Sequence, residues 1–329
     1  MKWQTASFLV MTCTGLLSLP LDSPRSEAAC PPETTPESKA LAYLVREVPR
    51  WSREHKCYSC HNNGDGARAL YTARRLSYPV PDKALADTTR WLSRPQEWDH
   101  NGGETGLSDK GLARIQFAAA LVDAVDGGQV KDRRLLVRAA DLVGEQQKGD
   151  GSWEVDAEGS IGSPTTYGAV LATYQACRTL RKADRPGYAA AIAKAEQWLR
   201  TLKVRSVLDA AALLLALAEM KGHDIQGQQQ RCLELIRKGE SAHGGWGPYT
   251  TSGPEPFDTA MVVLALARQA EQPEIKRLLQ RGRAYLIATQ QPDGSWPETT
   301  RPPASESYAQ RISTTAWATL AILATRQPR

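Results

Sequence analysis

Residues 207–220 read VLDAAALLLALAEM, and this run decides the fold. Only Asp209 and Glu219 interrupt it, so a helix formed here is apolar on every side and has no face for water. It must be buried. The segment before it differs, because Ala191, Ala195, Trp198 and Leu199 make one apolar stripe on an otherwise polar helix. That helix covers the outside of the first. The alternation recurs along the chain. One-sided helices are marked by Ala40/Tyr43/Leu44, Leu85/Trp91/Leu92, Leu135/Leu136/Leu142/Val143, Leu233/Leu235/Ile236 and Leu278/Leu279/Tyr285/Leu286. Each is followed by a more apolar one, clearest at 115–125, 165–177, 259–267 and 314–325. The pairs fall at 38–77, 82–126, 130–181, 186–222, 226–270 and 273–326, a period of about fifty residues. Six buried helices inside six amphipathic ones predict an all-α chain, a single α6/α6 toroid over 38–326, whose closure removes the need for capping repeats.

Composition agrees with a globular chain. The 329 residues carry 41 Lys and Arg against 36 Asp and Glu, a formal charge of +5, with 41% hydrophobic content. No block of basic residues offers an electrostatic footprint, so no nucleic-acid partner is expected. Lys2, the apolar run from Phe8 to Leu21, and Ser26-Glu27-Ala28 read as a signal peptide over 1–28, followed by a linker over 29–37. A lipid-attachment reading at Cys30 is disfavoured by Glu27. The expectation is export to the periplasm or cell envelope, with no integral membrane segment in the mature chain.

The links divide into two kinds. Those from a buried helix to the next outer helix are short (77–81, 126–130, 269–273), whereas outer-to-buried links are long and rich in Gly, Pro, Asp and Trp. The long ones include CYSCHNNGDG, EWDHNGGETG, GDGSWEVDAEGSIGSP, HGGWGPYTTSGPEP and PDGSWPETTRPPASESYAQ; the fourth shrinks to KVR. In a toroid all of them share one rim, which is where chemistry is expected.

Two of these links nearly repeat each other, QQKGDGSW ending at Trp153 and QQPDGSW ending at Trp296. Gln147 and Gln290 stand six residues before their Trp, and Gly151 and Gly294 two before; Gly244-Gly245-Trp246 is a partial third copy. Asp-Gly suits a turn out of the outer helix, the indole suits the gap between hairpins, and the Gln amide suits backbone groups at helix ends. The segments resemble the QW repeat of the squalene/hopene cyclase and protein prenyltransferase superfamily, and the resemblance implies that superfamily's α/α-toroid.

Activity does not transfer so directly. The cyclase Asp-x-Asp-Asp-Thr-Ala stretch resembles Glu255-Pro256-Phe257-Asp258-Thr259-Ala260, which keeps Asp258 but places Phe257 where the family has its proton donor. A phenyl ring cannot protonate an alkene. Asp258 is therefore weighed both as a displaced catalytic acid and as an N-terminal helix cap. The prenyltransferase zinc ligands would fall on Asp258 and Ala260, with Thr314, Thr315 and Trp317 on the last helix, and no thiolate or His among them. No zinc is predicted.

A different chemistry is suggested by Cys57-Tyr58-Ser59-Cys60-His61, whose Cys-x-x-Cys-His spacing is that of covalent haem c attachment. Cys57 and Cys60 would bond the porphyrin and His61 the iron, with His100 the first choice of distal ligand and His243 and Met261 further round the ring. A Cys57–Cys60 disulfide or thiol site, or a partial zinc site, suits the same residues; Cys177 and Cys232 read as core. Three functions stay open. The first is an exported toroid carrying haem c at its long-link rim, for electron transfer or a redox reaction with a partner the sequence does not name. The second is a terpenoid cyclase or prenyltransferase-like enzyme on an isoprenoid. The third is a non-catalytic envelope protein holding a lipid or glycan between Trp98, Trp153, Trp246 and Trp296. The small-molecule partner expected overall is apolar or isoprenoid-like.

Overall fold

A computed structural model describes residues 35–102, 109–153, 161–222, 225–270, 272–301 and 307–326. The expected signal peptide over 1–28 and most of the linker lie outside the described residues. Twelve helices account for the described chain: α1 Pro36–His55, α2 Gly66–Arg75, α3 Ala86–Leu92, α4 Lys110–Asp126, α5 Arg133–Gly144, α6 Gly168–Ala183, α7 Ala189–Thr201, α8 Val207–Leu217, α9 Ile225–Gly239, α10 Pro256–Leu266, α11 Pro273–Thr289 and α12 Tyr308–Ala324.

Even-numbered helices form the inner ring, each packed on its two neighbours, and α12 packs on α2 to close the circle. Odd-numbered helices lie outside. The closed α/α toroid read from the alternating helices is the observed fold. In α8 every residue except Asp209 is buried, so its lack of a polar face is satisfied by helices on all sides. Short polar side chains start several helices: Thr35 accepts from Ser38 N–H, Asp109 from Leu112 N–H, Ser206 from Asp209 N–H and Ser307 from Gln310 N–H.

The two near-repeated links join neighbouring hairpins in the same way. Gln147 donates to the Gly151 carbonyl (3.0 Å) and to Ala191 at the start of α7 (2.8 Å). Gln290 donates to Gly294 (3.1 Å) and to Pro36 at the start of α1 (2.9 Å). The ring is closed by the bond that joins its interior repeats. Gly151 and Gly294 have φ of +98° and +92°, and a Cβ there would lie 2.4 Å from Lys194 O and 2.2 Å from Lys39 O. Only glycine tolerates both conditions.

Trp153, Trp246 and Trp296 are buried, and each indole N–H donates to a carbonyl near the end of its own outer helix, Val143, Ile236 and Leu286, at 2.7–2.8 Å. Their backbone N–H groups donate to Thr173, Thr259 and Thr315 of the following inner helix. Trp98 is buried as well. These four indoles pack between helices and are not exposed rings on a rim.

Candidate site in the inner ring

The inner helices enclose a cavity of about 520 Å³ with wall residues from all six. Its lining includes Arg75 and Leu76 at the end of α2, Asp123 near the end of α4, Leu323 and Ala324 at the end of α12, and Ala267 and Arg268 just beyond α10. Among the described residues, this cavity thus opens at the rim of short links. Sequence reasoning put the working end at the opposite rim, because it used loop length and could not see what fills the ring.

At the long-link end the ring is spanned by Arg301. Its guanidinium holds both carboxylate oxygens of Asp258 (2.8 and 3.0 Å), pairs with Glu255 at 3.1 Å and donates to the Gly162 carbonyl. One side chain from the sixth hairpin thereby ties the third and fifth. Asp258 is fully buried in the first turn of α10, and burial pushes its carboxyl up to about 7 while Arg301 pulls the other way. The helix-cap expectation changes as well: Glu255 is the N-cap residue, and Asp258 spends its carboxylate on Arg301. Phe257 is buried against the cavity-lining Trp317, edge to face at 5.8 Å. The residue at the cyclase acid position is thus an apolar ring packed against the cavity floor.

Beneath the cavity runs a buried polar chain that sequence reasoning missed. Asp65 accepts from Tyr167 Oη–H (2.6 Å), Trp317 Nε1–H (3.0 Å) and Arg68 (3.2 Å). Arg68 continues to Asp123 (2.9 Å) and lies 4.6 Å over the Trp317 ring, while Arg178 takes the other Asp123 oxygen at 2.5 Å. Burial pushes the Asp65 carboxyl up to about 6, against the pull of Arg68, Tyr167 and Trp317. For Asp123 burial acts upward too, but two arginines outweigh it and the pKa ends below the ordinary value. Tyr167 reaches Asp65 from a backbone with φ +60°, an uncommon conformation for a residue with a Cβ. A signal for this chain existed in the sequence. Arg68, Asp123, Gln175 and Arg178 lie on inner helices rich in apolar residues, and polar groups turned into the ring need partners there.

The Cys-x-x-Cys-His segment is shorter as a link than expected. Residues Cys60–Asp65 form a π-helical turn that runs into α2, leaving 56–59 as the connection. Cys57 and Ser59 are buried, Cys60 and His61 half-buried, and Tyr58 stacks on Trp91 at 4.8 Å. Cys60 Sγ lies 3.8 Å from His61 Nδ1, and Ser59 Oγ lies 3.2 Å from the same nitrogen. Burial lowers the His61 pKa to about 4, which keeps the imidazole neutral, and raises that of Cys60 to about 12. Both cysteines are free thiols in the structure. His100 is exposed in a short 3₁₀ turn, Pro95–His100, and the next carbonyl, Asn101, accepts from Tyr58 N–H at 2.9 Å. Among the described residues no three His, Cys, Asp or Glu side chains are grouped to hold a metal ion. Cys177 and Cys232 are fully buried in the core, and among the described residues no helix is long and apolar enough to cross a membrane.

Residues 204–329 match the family model of the squalene-hopene cyclase C-terminal domain. Among solved structures, type II terpene cyclase MstE from Scytonema is similar over 89% of this chain and 98% of its own, with TM-score 0.59 and 14% identity. In fold this chain is an α/α toroid similar to that enzyme. A substituted form of that enzyme in complex with its substrate, geranylgeranyl dihydroxybenzoate, is similar at TM-score 0.57 and 12% identity over 88% and 97%. Unsaturated glucuronyl hydrolase from Bacillus sp. GL1 is similar at TM-score 0.58 and 14% identity over 88% and 95%. No curated protein matches the chain. The cyclase-like toroid therefore shares its architecture with proteins of unrelated chemistry, and its own cavity must decide what it does.

Proposed function

We propose that this protein binds an apolar, isoprenoid-like small molecule in the cavity of its inner ring. The observation that carries the reading is an apolar patch in an otherwise polar wall: Leu215, Leu264, Leu320 and Leu323 from three inner helices, with Trp317, face a cavity whose remaining lining is largely arginine and other polar side chains. Its volume lies in the range of small-molecule sites. The similar terpene cyclase binds a geranylgeranyl substrate and a merosterolic acid product, which supports the same ligand class here. Asp258 serves this reading as the internal partner of Arg301, which takes both of its side-chain oxygens. The test is titration with geranylgeraniol, read as quenching of tryptophan fluorescence. The expected result is one bound molecule, with the quench reduced in Trp317→Phe and binding lost in Leu264→Arg, which fills the cavity with a charged chain. Retained binding in Leu264→Arg would reject the site.

A second reading rests on the Cys57–His61 segment. The donor set suits haem c: Cys57 and Cys60 would form the thioethers and His61 would take one axial position, with exposed His100 on the neighbouring link as the first choice for the other. Bound there, the group would supply one-electron redox chemistry. The partial exposure of Cys60 and His61 leaves them an edge toward solvent, whereas buried Cys57 requires the 56–59 connection to open during attachment. A reactive dithiol is less suited, since burial raises the pKa of both thiols. Export to the periplasm or cell envelope belongs to this reading, because covalent haem is attached outside the cytoplasm. A pyridine haemochrome spectrum after co-expression with a haem-maturation system, repeated with Cys57→Ala, tests it. Absence of a covalent haem band in the unsubstituted protein would end it.

A further inference from the structure

The mouth of the inner-ring cavity is basic. Arg75, Arg268 and Arg326 lie there, Arg68 and Arg178 line the cavity deeper in, and Asp123 is the one carboxylate among the lining residues. Asp123 is already committed, bonded to Arg68 and Arg178. Arginines at helix C-termini can be explained by the carbonyl ends they face, and Arg326 fits that explanation because it donates to the Leu76 carbonyl at 3.2 Å. Arg75, the last residue of α2, and Arg268, just past α10, sit at such ends but make no bond of this kind among the described residues. Both are exposed, and neither has an ion pair or a hydrogen bond among the described residues. They lie at the ends of different inner helices and line one opening. A third observation comes from the wall. Gln175 is 2% exposed and lines the cavity, and its Oε1 is buried without a hydrogen-bond partner. A buried polar atom left unmatched destabilises the folded chain, and a ligand that carries a donor would satisfy it.

We infer that this mouth is a headgroup site, and that the natural ligand is an anionic amphiphile whose phosphate or carboxylate is held by Arg75 and Arg268 while its apolar body enters toward Trp317. Guanidinium forks match the planar or tetrahedral oxygens of both headgroups bidentately. A hydroxyl or protonated headgroup oxygen reaching the wall would donate to Gln175 Oε1. The inference rests on the cavity reading above and adds the charge of the ligand to it.

The experiment compares three probes with one tail, dodecanol, dodecanoate and dodecyl phosphate, each below its micelle concentration, by calorimetry and tryptophan fluorescence at two salt concentrations. The native protein is expected to bind at least one anionic probe ten-fold or more tightly than dodecanol, with the preference weakening as salt rises. The pair of anionic arms distinguishes a phosphate from a carboxylate headgroup. In Arg75→Gln/Arg268→Gln the anionic probes should fall to the affinity of dodecanol, while dodecanol binding and the melting temperature stay unchanged, since both side chains are exposed. If dodecanol binds as tightly as the anions in the native protein, or the preference survives in the double variant, this inference falls and the cavity reading stands. If none of the three binds, both fall.

Discussion

Arg301 grips Asp258 through two parallel hydrogen bonds of 2.8 and 3.0 Å, with Asp258 fully buried. The geometry converts a residue at a cyclase-like motif into a strut across the ring. Removing the guanidinium in Arg301→Met leaves a buried carboxylate without its partner, so urea unfolding should show a loss of about 3–5 kcal/mol. Arg301→Met/Asp258→Asn should recover part of that loss. A double variant no more stable than Arg301→Met would show that the two are not coupled.

The same pair gives a pH signature. Asp258 has a folded pKa of about 7 against an ordinary 3.8, so the folded chain keeps this proton to higher pH than the unfolded one. Its contribution is full below about 3.8 and is lost as pH rises toward about 7. The stability of the native protein relative to Asp258→Asn should fall across that window. Denaturant midpoints of the two proteins measured in parallel check the sign, and a difference that rises with pH would contradict it.

Gly151 and Gly294 press against the backbone of the next outer helix at positive φ. Gly151→Ala and Gly294→Ala should each cost roughly 2–3 kcal/mol, through strain and displaced backbone. Gly187, where an added Cβ meets nothing within 4 Å, serves as the comparison. Gly187→Ala should stay within about 0.5 kcal/mol of the native protein. Thermal melts of the three variants suffice.

Gln147 and Gln290 make equivalent bonds, one inside the ring and one across its closure. Gln147→Ala and Gln290→Ala should therefore lose similar stability, about 1–2 kcal/mol each. A neutral Gln290→Ala beside a destabilising Gln147→Ala would mean that the closing junction is weaker in solution than the interior ones.

Trp246 and Trp296 each spend the indole N–H on an outer-helix carbonyl at 2.7 Å. Trp246→Phe and Trp296→Phe keep a ring but leave Ile236 O or Leu286 O unmatched, and each should cost about 1–3 kcal/mol in chemical denaturation. Trp198, only half-buried on α7, should tolerate Phe with a smaller loss.

Much of the fold was legible because burial leaves a local record. A helix surrounded by others, such as 207–217, carries apolar residues on all faces, and one facing water carries a stripe. The junctions were legible too, since Asp-Gly turns and their flanking Gln and Trp act within a few residues of one another. The site was less so. Asp65 lay within the quoted CYSCHNNGDG, yet nothing in that stretch shows that Tyr167 and Trp317 close on it, 102 and 252 positions away.

The sequence by itself therefore determined twelve helices in six hairpins and their closure into a ring, because hydrophobic periodicity repeats every few residues and needs no knowledge of distant partners. Only the tertiary structure decided that Arg301 holds Asp258, that the Cys60–Asp65 segment is wound into the start of an inner helix, and that the cavity opens on a basic rim. The physical reason is that charge pairing and cavity shape depend on side chains brought together across the ring. Arg301 meets Gly162 from 139 positions away, a separation that no local pattern encodes.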